Sequence, residues 1–218
     1  PAGDINVPAD APTIQTALDI APDGKTIVVA PGEYFENIDI PTKSGIALIS
    51  SSGPEMTIIN GGGLGIVIKS DCCPNNFTLD GFTITGGNGE YGSSISGINT
   101  YTMNNSTFKN LIITGNEYGN IIHASPFSNT FENVAIVRNS NGTSNFGWDA
   151  ALYIYGGGSD GDYCVLKNIT IADNDGMYGI SYDGVNTEID LNIINSVIWN
   201  NQQQDETAQI VFGHGSNN

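Results

Sequence analysis

Positively charged residues are scarce in this sequence. Six Lys and Arg stand against 23 Asp and Glu among 218 residues, which gives a formal net charge of −17. A surface of this kind repels nucleic-acid phosphates and anionic lipid headgroups. We therefore expect no nucleic-acid partner, and we interpret the excess of carboxylates either as a solvated surface or as a means of attracting calcium and other cations.

Long apolar runs and cysteines are also rare. No stretch approaches the roughly 20 consecutive apolar residues of a membrane-spanning helix, so we expect no membrane insertion. The three cysteines, Cys72, Cys73 and Cys164, permit at most one internal disulfide. Because adjacent cysteines rarely pair with each other, we expect Cys164 to bond to Cys72 or Cys73.

A nine-residue phrase recurs along the chain. It reads FKNLIITGN at Phe108–Asn116, FENVAIVRN at Phe131–Asn139 and LKNITIADN at Leu166–Asn174. A degenerate copy, LDGFTITGG, begins at Leu79, and NSVIWNN begins at Asn195 with the same spacing of asparagines. The third positions of the nine-residue copies and Asn195 lie 23 to 35 residues apart. Such a period indicates a stack of similar structural units.

A second, β-rich phrase alternates with the first. It is followed by a turn signal each time and occurs as GIVIKS at Gly65, GINTYT at Gly97, NIIHAS at Asn120, ALYIYG at Ala151, GISYDG at Gly179 and QIVFGH at Gln209. Helical solenoids need longer patterns of period 3.6, and propeller blades need about 40–45 residues. Units with two or three short strands instead predict an all-β fold, a parallel β-helix of about six to seven coils.

Stacked coils about 4.8 Å apart explain why the phrase repeats, since each coil must place the same side chains above those of the coil below. Asparagine tolerates the left-handed backbone of a tight turn, and stacked amides can bond to each other as a ladder. One predicted inward column consists of Leu111, Val134 and Ile169; another consists of Ile66, Ile98, Ile121, Leu152, Ile180 and Ile210. Alternating charges should stack at Asp80, Lys109, Glu132 and Lys167.

The two ends of the chain differ from the repeats. Pro12 suits a first helical turn, and an apolar helical face follows at Ile14, Ala17, Leu18 and Ala21. We predict an N-terminal cap with a short helix at residues 1–25 and the β-helix at residues 26–218. No cap follows the last phrase, so we expect that the natural chain continues beyond Asn218 or that another chain covers this end.

The opening of the chain resembles a known family. Val7–Asp10 reads VPAD, Pro12–Gln15 reads PTIQ, and Ala30–Tyr34 reads APGEY. These three motifs resemble the start of secreted bacterial right-handed parallel β-helix repeat proteins of the pectin-lyase-like superfamily, and the later repeats fit the same family. The resemblance implies a right-handed coil and a secreted, extracellular or cell-surface location. It does not fix a function, because the superfamily includes lyases, hydrolases and adhesins.

The resemblance implies candidates for catalysis. Superfamily lyases use an Arg or Lys base and commonly calcium, which makes Arg138 a candidate base. Superfamily glycosidases carry a Gly-His-Gly signature, which stands here as Gly213-His214-Gly215. Their Arg-x-Lys motif is missing, so we assign no catalytic residue beyond the candidates Arg138 and His214. His123 is expected at an inward position, as a core residue.

Acidic turns suggest a cation site, although no cofactor is required by the sequence. The candidate calcium ligands are Asp160, Asp162, Asp173 and Asp175, with Asp183 as a further one. Calcium binds six to eight oxygen atoms, and carboxylates in turns can supply them. The alternative interpretation is that Asp simply favours turns.

Aromatic residues suggest a binding surface. Strand alternation places Tyr101, Tyr153 and Tyr155 on the outside, with Asp183 and Lys69 in the column of Tyr101 and Tyr155. Aromatic rings on a flat face can stack on sugar rings, or they can merely stack between coils.

Taken together, these patterns favour a non-catalytic extracellular module. It would bind a polysaccharide or cell-surface glycan, as in adhesion, or build an extracellular assembly or filament by self-association at the C-terminal end. The alternative is a polysaccharide-degrading lyase or glycoside hydrolase.

Overall fold

The chain folds into a stack of parallel coils. The structure is a computed structural model that describes residues 3–70, 72–89, 95–125, 127–141, 149–156, 162–184, 190–202 and 208–212. Within these ranges, strands pair in parallel with the equivalent strands of the next coil. The fold is therefore the predicted parallel β-helix, with about six turns.

Each coil has three faces, whose strands are numbered along the chain. The first face contains β1 (Ile5–Val7), β2 (Thr26–Val29), β5 (Ala47–Ser50), β8 (Thr78–Asp80) and β17 (Asp190–Ile194). Three long strands bend and belong to both the first and the second face: β11 (Thr107–Ile113), β13 (Asn129–Val137) and β15 (Tyr163–Ala172).

The other strands complete the second and third faces. The second face adds β3 (Gly32–Phe35), β6 (Thr57–Asn60), β9 (Thr83–Thr85) and β18 (Val197–Trp199). The third face is a separate sheet of β4 (Ile38–Asp39), β7 (Ile68–Lys69), β10 (Ile95–Asn99), β12 (Asn120–Ala124), β14 (Ala150–Gly156), β16 (Tyr178–Gly184) and β19 (Ile210–Phe212). The second β-rich phrase of the sequence thus forms the third face.

One left-handed residue turns the chain from the first face to the second. Four asparagines with φ between 49° and 55° occupy this corner: Asn110, Asn133, Asn168 and Asn195. Asparagine visits the left-handed region more readily than most residues with a Cβ atom. Their side chains are exposed, and Asn110, Asn133 and Asn168 form the outer ladder, in which Nδ2 of each upper residue donates to Oδ1 of the lower one at 3.1 and 2.9 Å.

A second ladder lies inside the corner between the second and third faces. This inner ladder is built from four buried residues, Asn116, Asn139, Asn174 and Asn201. Each Oδ1 atom from Asn139 onwards accepts both the Nδ2 and the backbone N–H of the asparagine one coil below, with Nδ2 distances of 3.0, 2.8 and 2.7 Å. Nδ2 of Asn139 also donates to the Ile113 carbonyl at 3.0 Å. The inner ladder therefore satisfies backbone groups that the bend would leave unpaired.

The strand register confirms most of the predicted columns. Leu111, Val134 and Ile169 stack as expected, and the Phe108 and Phe131 rings stack in the core at 5.0 Å. The alternating charges also stack, with ion pairs Asp80–Lys109 at 3.3 Å and Glu132–Lys167 at 2.6 Å.

The predicted third-face column was wrong at two positions. Ile98 pairs with Ile68 and Ile122, where we expected Ile66 and Ile121. The register of β10 against β12 shifts between Ile95 and Ile98, and β7 begins only at Ile68, so counting from the start of each phrase misaligns the coils. Ile121 is nevertheless buried.

The predicted helix lies at the N-terminal end of the stack. It spans α1 (Ile14–Ile20) and buries Ile14, Ala17 and Leu18. It begins after the expected first turn at Pro12, because Thr13 is the N-cap and its Oγ1 accepts the Thr16 N–H at 3.0 Å. Within the described ranges, no helix has the length and apolar character that a membrane crossing requires.

Contacts from the first coils hold both ends of this helix. The Glu36 carboxylate accepts the N–H groups of Ile14 and Gln15 at 3.0 and 2.9 Å. Lys43 Nζ donates to the carbonyls of Leu18 and Asp19 at 2.9 and 2.7 Å. These charges complement the two ends of the helix dipole, so the helix is fixed by residues that lie far from it in the sequence.

The expected disulfide is absent. All three cysteines are free, with Cys164 buried and Cys72 and Cys73 exposed. Cys72 and Cys73 precede β8, whereas Cys164 lies in β15, three coils further along the first face. That separation is roughly 14 Å along the stack, which no disulfide can bridge.

The inner ladder predicts a large difference between two asparagine substitutions. Asn139→Ala removes the acceptor of two buried donors of Asn116 and should lower the free energy of unfolding by about 3–5 kcal/mol. Asn133→Gly removes an exposed amide where glycine suits the backbone and should change it by less than about 1 kcal/mol. Urea unfolding followed by circular dichroism measures both values. Similar losses in the two variants would contradict the role given to the inner ladder.

Candidate functional site

Four ring side chains form a cluster on the outside of the third face. Ile122 and Leu152 pair in register and point into the core, so the following residues, His123 and Tyr153, face outwards. Tyr155 faces the same way two residues on, and Tyr101 follows β10 one coil below His123. Tyr101, His123, Tyr153 and Tyr155 are called the aromatic cluster below.

The rings of the aromatic cluster contact each other in a closed circuit. Tyr101 stacks on His123 with ring centroids 5.3 Å apart, and His123 lies 5.2 Å from Tyr153. Tyr153 lies 6.5 Å from Tyr155, which in turn lies 5.9 Å from Tyr101. These separations are those of favourable aromatic pairs, so each ring is held in place by two neighbours.

The cluster combines an exposed ring with a carboxylate at its edge. Tyr101 is 42% exposed, and the other three side chains are partly buried. Asp183 pairs in register with Tyr155, and Tyr153 Oη donates to Asp183 Oδ2 at 3.3 Å. The structure thus brings together the four residues predicted to form a binding surface, Tyr101, Tyr153, Tyr155 and Asp183.

His123 belongs to this surface and not to the core, contrary to our expectation. It pairs in register with Asn99 and Tyr153 on the outward side of the sheet. Two consecutive buried isoleucines precede it, so alternation from the sequence alone assigns the wrong side. Alignment with Tyr153 in the next coil could have identified its position.

Burial controls the protonation of the cluster. Desolvation lowers the pKa of His123 from 6.5 to about 4, so the imidazole is neutral at pH 7. Its Nε2 atom is buried and has no hydrogen-bond partner among the described residues. Burial, followed by the nearby charge of Asp183, raises the pKa of Tyr153 to about 12.

Lys69 does not share the column of Tyr101 and Tyr155. Ile68 pairs with Ile98, which places Lys69 below Asn99 and His123. Its Nζ atom forms an ion pair with Asp39 Oδ2 at 3.0 Å.

The predicted calcium ligands are divided between two corners. Asp162 precedes the ten-residue strand β15, and Ser128 Oγ donates to its Oδ1 at 3.3 Å. Asp173 and Asp175 follow the other end of β15, are exposed, and lie beside Asn200, whose Nδ2 donates to Asp173 at 2.7 Å. Asp160 lies outside the described residues. In the part of the chain that the structure describes, no three His, Cys, Asp or Glu side chains are arranged to hold a metal ion.

The catalytic candidates lie away from the aromatic cluster or cannot be placed. Arg138 is exposed at the corner after β13, with φ 55°, and forms no ion pair with any residue in the described ranges. The signature Gly213-His214-Gly215 lies outside the described residues, so His214 has no structural assignment.

The low pKa of His123 predicts an acid-sensitive stability term. When the pH is lowered from 6.5 to 4, the unfolded chain takes up a proton at this histidine and the folded chain does not. The free energy of unfolding therefore decreases as the pH is lowered. Over this range the wild type should lose on the order of 3 kcal/mol more than His123→Gln. Chemical unfolding at a series of pH values measures the difference, in which the common carboxylate titrations cancel. A constant difference across this pH range would show that His123 is not desolvated.

A sequence comparison matches part of the chain to a known protein. No family model matches the chain. A cell surface glycoprotein of Methanothermus fervidus is 36% identical over 108 residues, which are 48% of this chain and only 17% of the glycoprotein.

The chain is similar in architecture to a solved structure. The pectin methylesterase from Aspergillus niger in deglycosylated form aligns over 97% of this chain and 90% of its own, with a TM-score of 0.50 and 15% identity. The pectin methylesterase from carrot aligns over 99% and 89%, with a TM-score of 0.49 and 13% identity. Pectin methylesterases are right-handed parallel β-helix proteins of the pectin-lyase-like fold. At these identities, the likeness to the Aspergillus niger structure establishes the fold class of this chain and nothing about its activity.

Proposed function

We propose that this chain is a non-catalytic carbohydrate-binding module of an extracellular or cell-surface protein, and that the aromatic cluster binds the sugar. The observation that carries this proposal is the closed circuit of four rings with Asp183 at its edge. The similarity to a cell surface glycoprotein supports the location.

The cluster has the groups that a sugar ring requires. The apolar C–H face of a pyranose can stack on the exposed ring of Tyr101, and the Asp183 carboxylate can accept hydrogen bonds from hydroxyl groups. Because the rings already hold each other in place, little conformational entropy is lost on binding.

The charge of the chain favours a neutral glycan. A net charge of −17 repels polyanionic polysaccharides, unless cations bridge the two. The same excess of negative charge could attract calcium, and Asp173 and Asp175 are the proposed ligands. Carbohydrate binding at the aromatic cluster does not require calcium.

The protonation state of the cluster is a reason to favour binding over catalysis. A general acid or base works best with a pKa near the working pH. Burial moves the pKa values of two groups of the cluster, His123 and Tyr153, away from neutral pH, to about 4 and about 12. Arg138, the candidate lyase base, contacts none of the cluster rings. We therefore propose carbohydrate binding as the function and keep polysaccharide degradation as the alternative.

One observation favours a second role, as a subunit of an extracellular assembly. In the last described coil the core-facing side chain of Ile193, which stacks above the buried Leu166, is 39% exposed. Apolar surface at the end of a β-helix can bind a further coil or a second copy. Sedimentation velocity at increasing concentration tests this role, and a monomer at all concentrations would argue against it.

The binding proposal predicts the effect of removing two rings. Tyr101→Ala combined with Tyr155→Ala should weaken binding of a neutral oligosaccharide by about tenfold or more, because each lost stacking contact costs about 0.5–1.5 kcal/mol beyond its buried area. Phe35→Ala is the matched control, since Phe35 is an aromatic residue on the second face and is 68% exposed. A glycan array identifies the ligand, and isothermal titration calorimetry measures the affinities.

Two results would contradict the proposal. Equal affinities of the double variant and the Phe35→Ala control would place binding elsewhere. Release of unsaturated uronates or new reducing ends from a polysaccharide substrate would show that the protein is an enzyme.

A further inference from the structure

A groove runs along the corner that is opposite the third face. It has a volume of about 550 Å³ and is lined by the outer ladder, Asn110, Asn133 and Asn168. Its floor consists of Ile112, Ala135 and Thr170, which follow these asparagines on the second face, and Pro54 contributes to one end. It is called the amide groove below. No residue of the aromatic cluster lines it.

The outer ladder has a direction and a fixed starting point. Asn110 Nδ2 donates to Asp80 Oδ1 at 2.7 Å, Asn133 donates to Asn110, and Asn168 donates to Asn133. Each amide donates one N–H within the outer ladder. A primary amide has two N–H groups and an oxygen with two lone pairs, so each one has further hydrogen-bonding groups. The amides are thus held in a single orientation and retain hydrogen-bonding capacity towards the groove.

The spacing of the amides suits an extended chain molecule. The coils repeat about every 4.8 Å along the stack, so a linear polymer that lies parallel to the axis meets one amide per coil. The partly buried Ile112 and Ala135 provide an apolar strip beside this polar row. A row of donors and acceptors beside an apolar strip matches a sugar chain, which has hydroxyl edges and C–H faces.

The charges beside the amide groove are paired. Asp80 forms an ion pair with Lys109 at 3.3 Å, and Glu132 forms one with Lys167 at 2.6 Å. Apart from Asp80, the named lining residues are uncharged. An anionic polymer would find no unpaired cation among the described residues that line the groove, while the chain as a whole repels it.

We propose that the amide groove is a second binding site, for a neutral linear polysaccharide that lies along the β-helix axis. This site is separate from the aromatic cluster, because the corner between the first and second faces lies across the coil from the third face. A chain with both sites would hold two glycan strands at once and would gain affinity for a polymer network through multivalency.

The decisive variant is Asn110→Gly, Asn133→Gly and Asn168→Gly combined. Glycine accepts the left-handed backbone of these positions, so the amides are removed without strain. The matched control is Asn76→Gly with Asn105→Gly, which removes two exposed left-handed asparagines at the corner between the third and first faces. Urea unfolding verifies that both variants remain folded.

The probes are the neutral hexasaccharides cellohexaose and mannohexaose, with hexagalacturonate as the anionic comparison. Titration of ¹⁵N-labelled protein should shift the side-chain amide signals of Asn110, Asn133 and Asn168 with at least one neutral probe and leave them unmoved with hexagalacturonate. The triple glycine variant should lose about tenfold or more in affinity at this site, while the control retains the wild-type affinity.

The same titration of the Tyr101→Ala, Tyr155→Ala variant separates the two sites. Amide signals that still shift in this variant would support a groove that acts independently of the aromatic cluster. The proposal is overturned if neither neutral hexasaccharide shifts the three amide signals at millimolar concentration, or if the triple glycine variant binds as tightly as the control.

Discussion

The buried amide ladder of Asn116, Asn139, Asn174 and Asn201 is the interaction on which the rest of the structure depends. At this corner the chain leaves the second face, and its backbone groups turn away from the regular strand pairing. The ladder gives them partners in the core, where an unpaired group costs about 1–3 kcal/mol. Each amide bonds the asparagine of the adjacent coil. The bend and the coil-to-coil stacking are therefore stabilised by the same contacts, and the third face is held in a fixed position.

The repeated phrase made most of the fold predictable. Asparagine recurs at the third and ninth positions of FENVAIVRN for two different reasons, one conformational and one a matter of buried hydrogen bonds. Loop lengths do not affect this pattern, so the columns at Leu111 and Ile113 could be aligned across coils. The register of the third face was less predictable, because the shift between Ile95 and Ile98 is a local irregularity. The start of α1 depends on Thr13 and on long-range contacts from Glu36, which local helix signals do not include.

The candidate site was predictable in part. Strand alternation alone places Tyr153 and Tyr155 outwards, because β14 alternates strictly between buried and partly buried residues from Leu152 to Tyr155. The inclusion of His123 and the pairing of Lys69 with Asp39 depend on which residues of adjacent coils pair, and alignment by the starts of the phrases shifts His123 by one residue relative to Tyr153. The two groups of acidic turns look close in the sequence, but the whole of β15 separates Asp162 from Asp173.

The surface features follow from the same stacking that builds the core. Because equivalent residues lie above one another, side chains of one kind form rows, as in the aromatic cluster on the third face and the outer ladder at the opposite corner. Sugar binding by the aromatic cluster is the central claim about function, and it is tested most directly by ¹H–¹³C spectra of the aromatic rings during titration with a neutral oligosaccharide. We expect the ring signals of Tyr101 and His123 to shift to saturation while the oligosaccharide stays intact. Unmoved ring signals, or cleavage of the sugar during the titration, would contradict a non-catalytic binding site at this cluster.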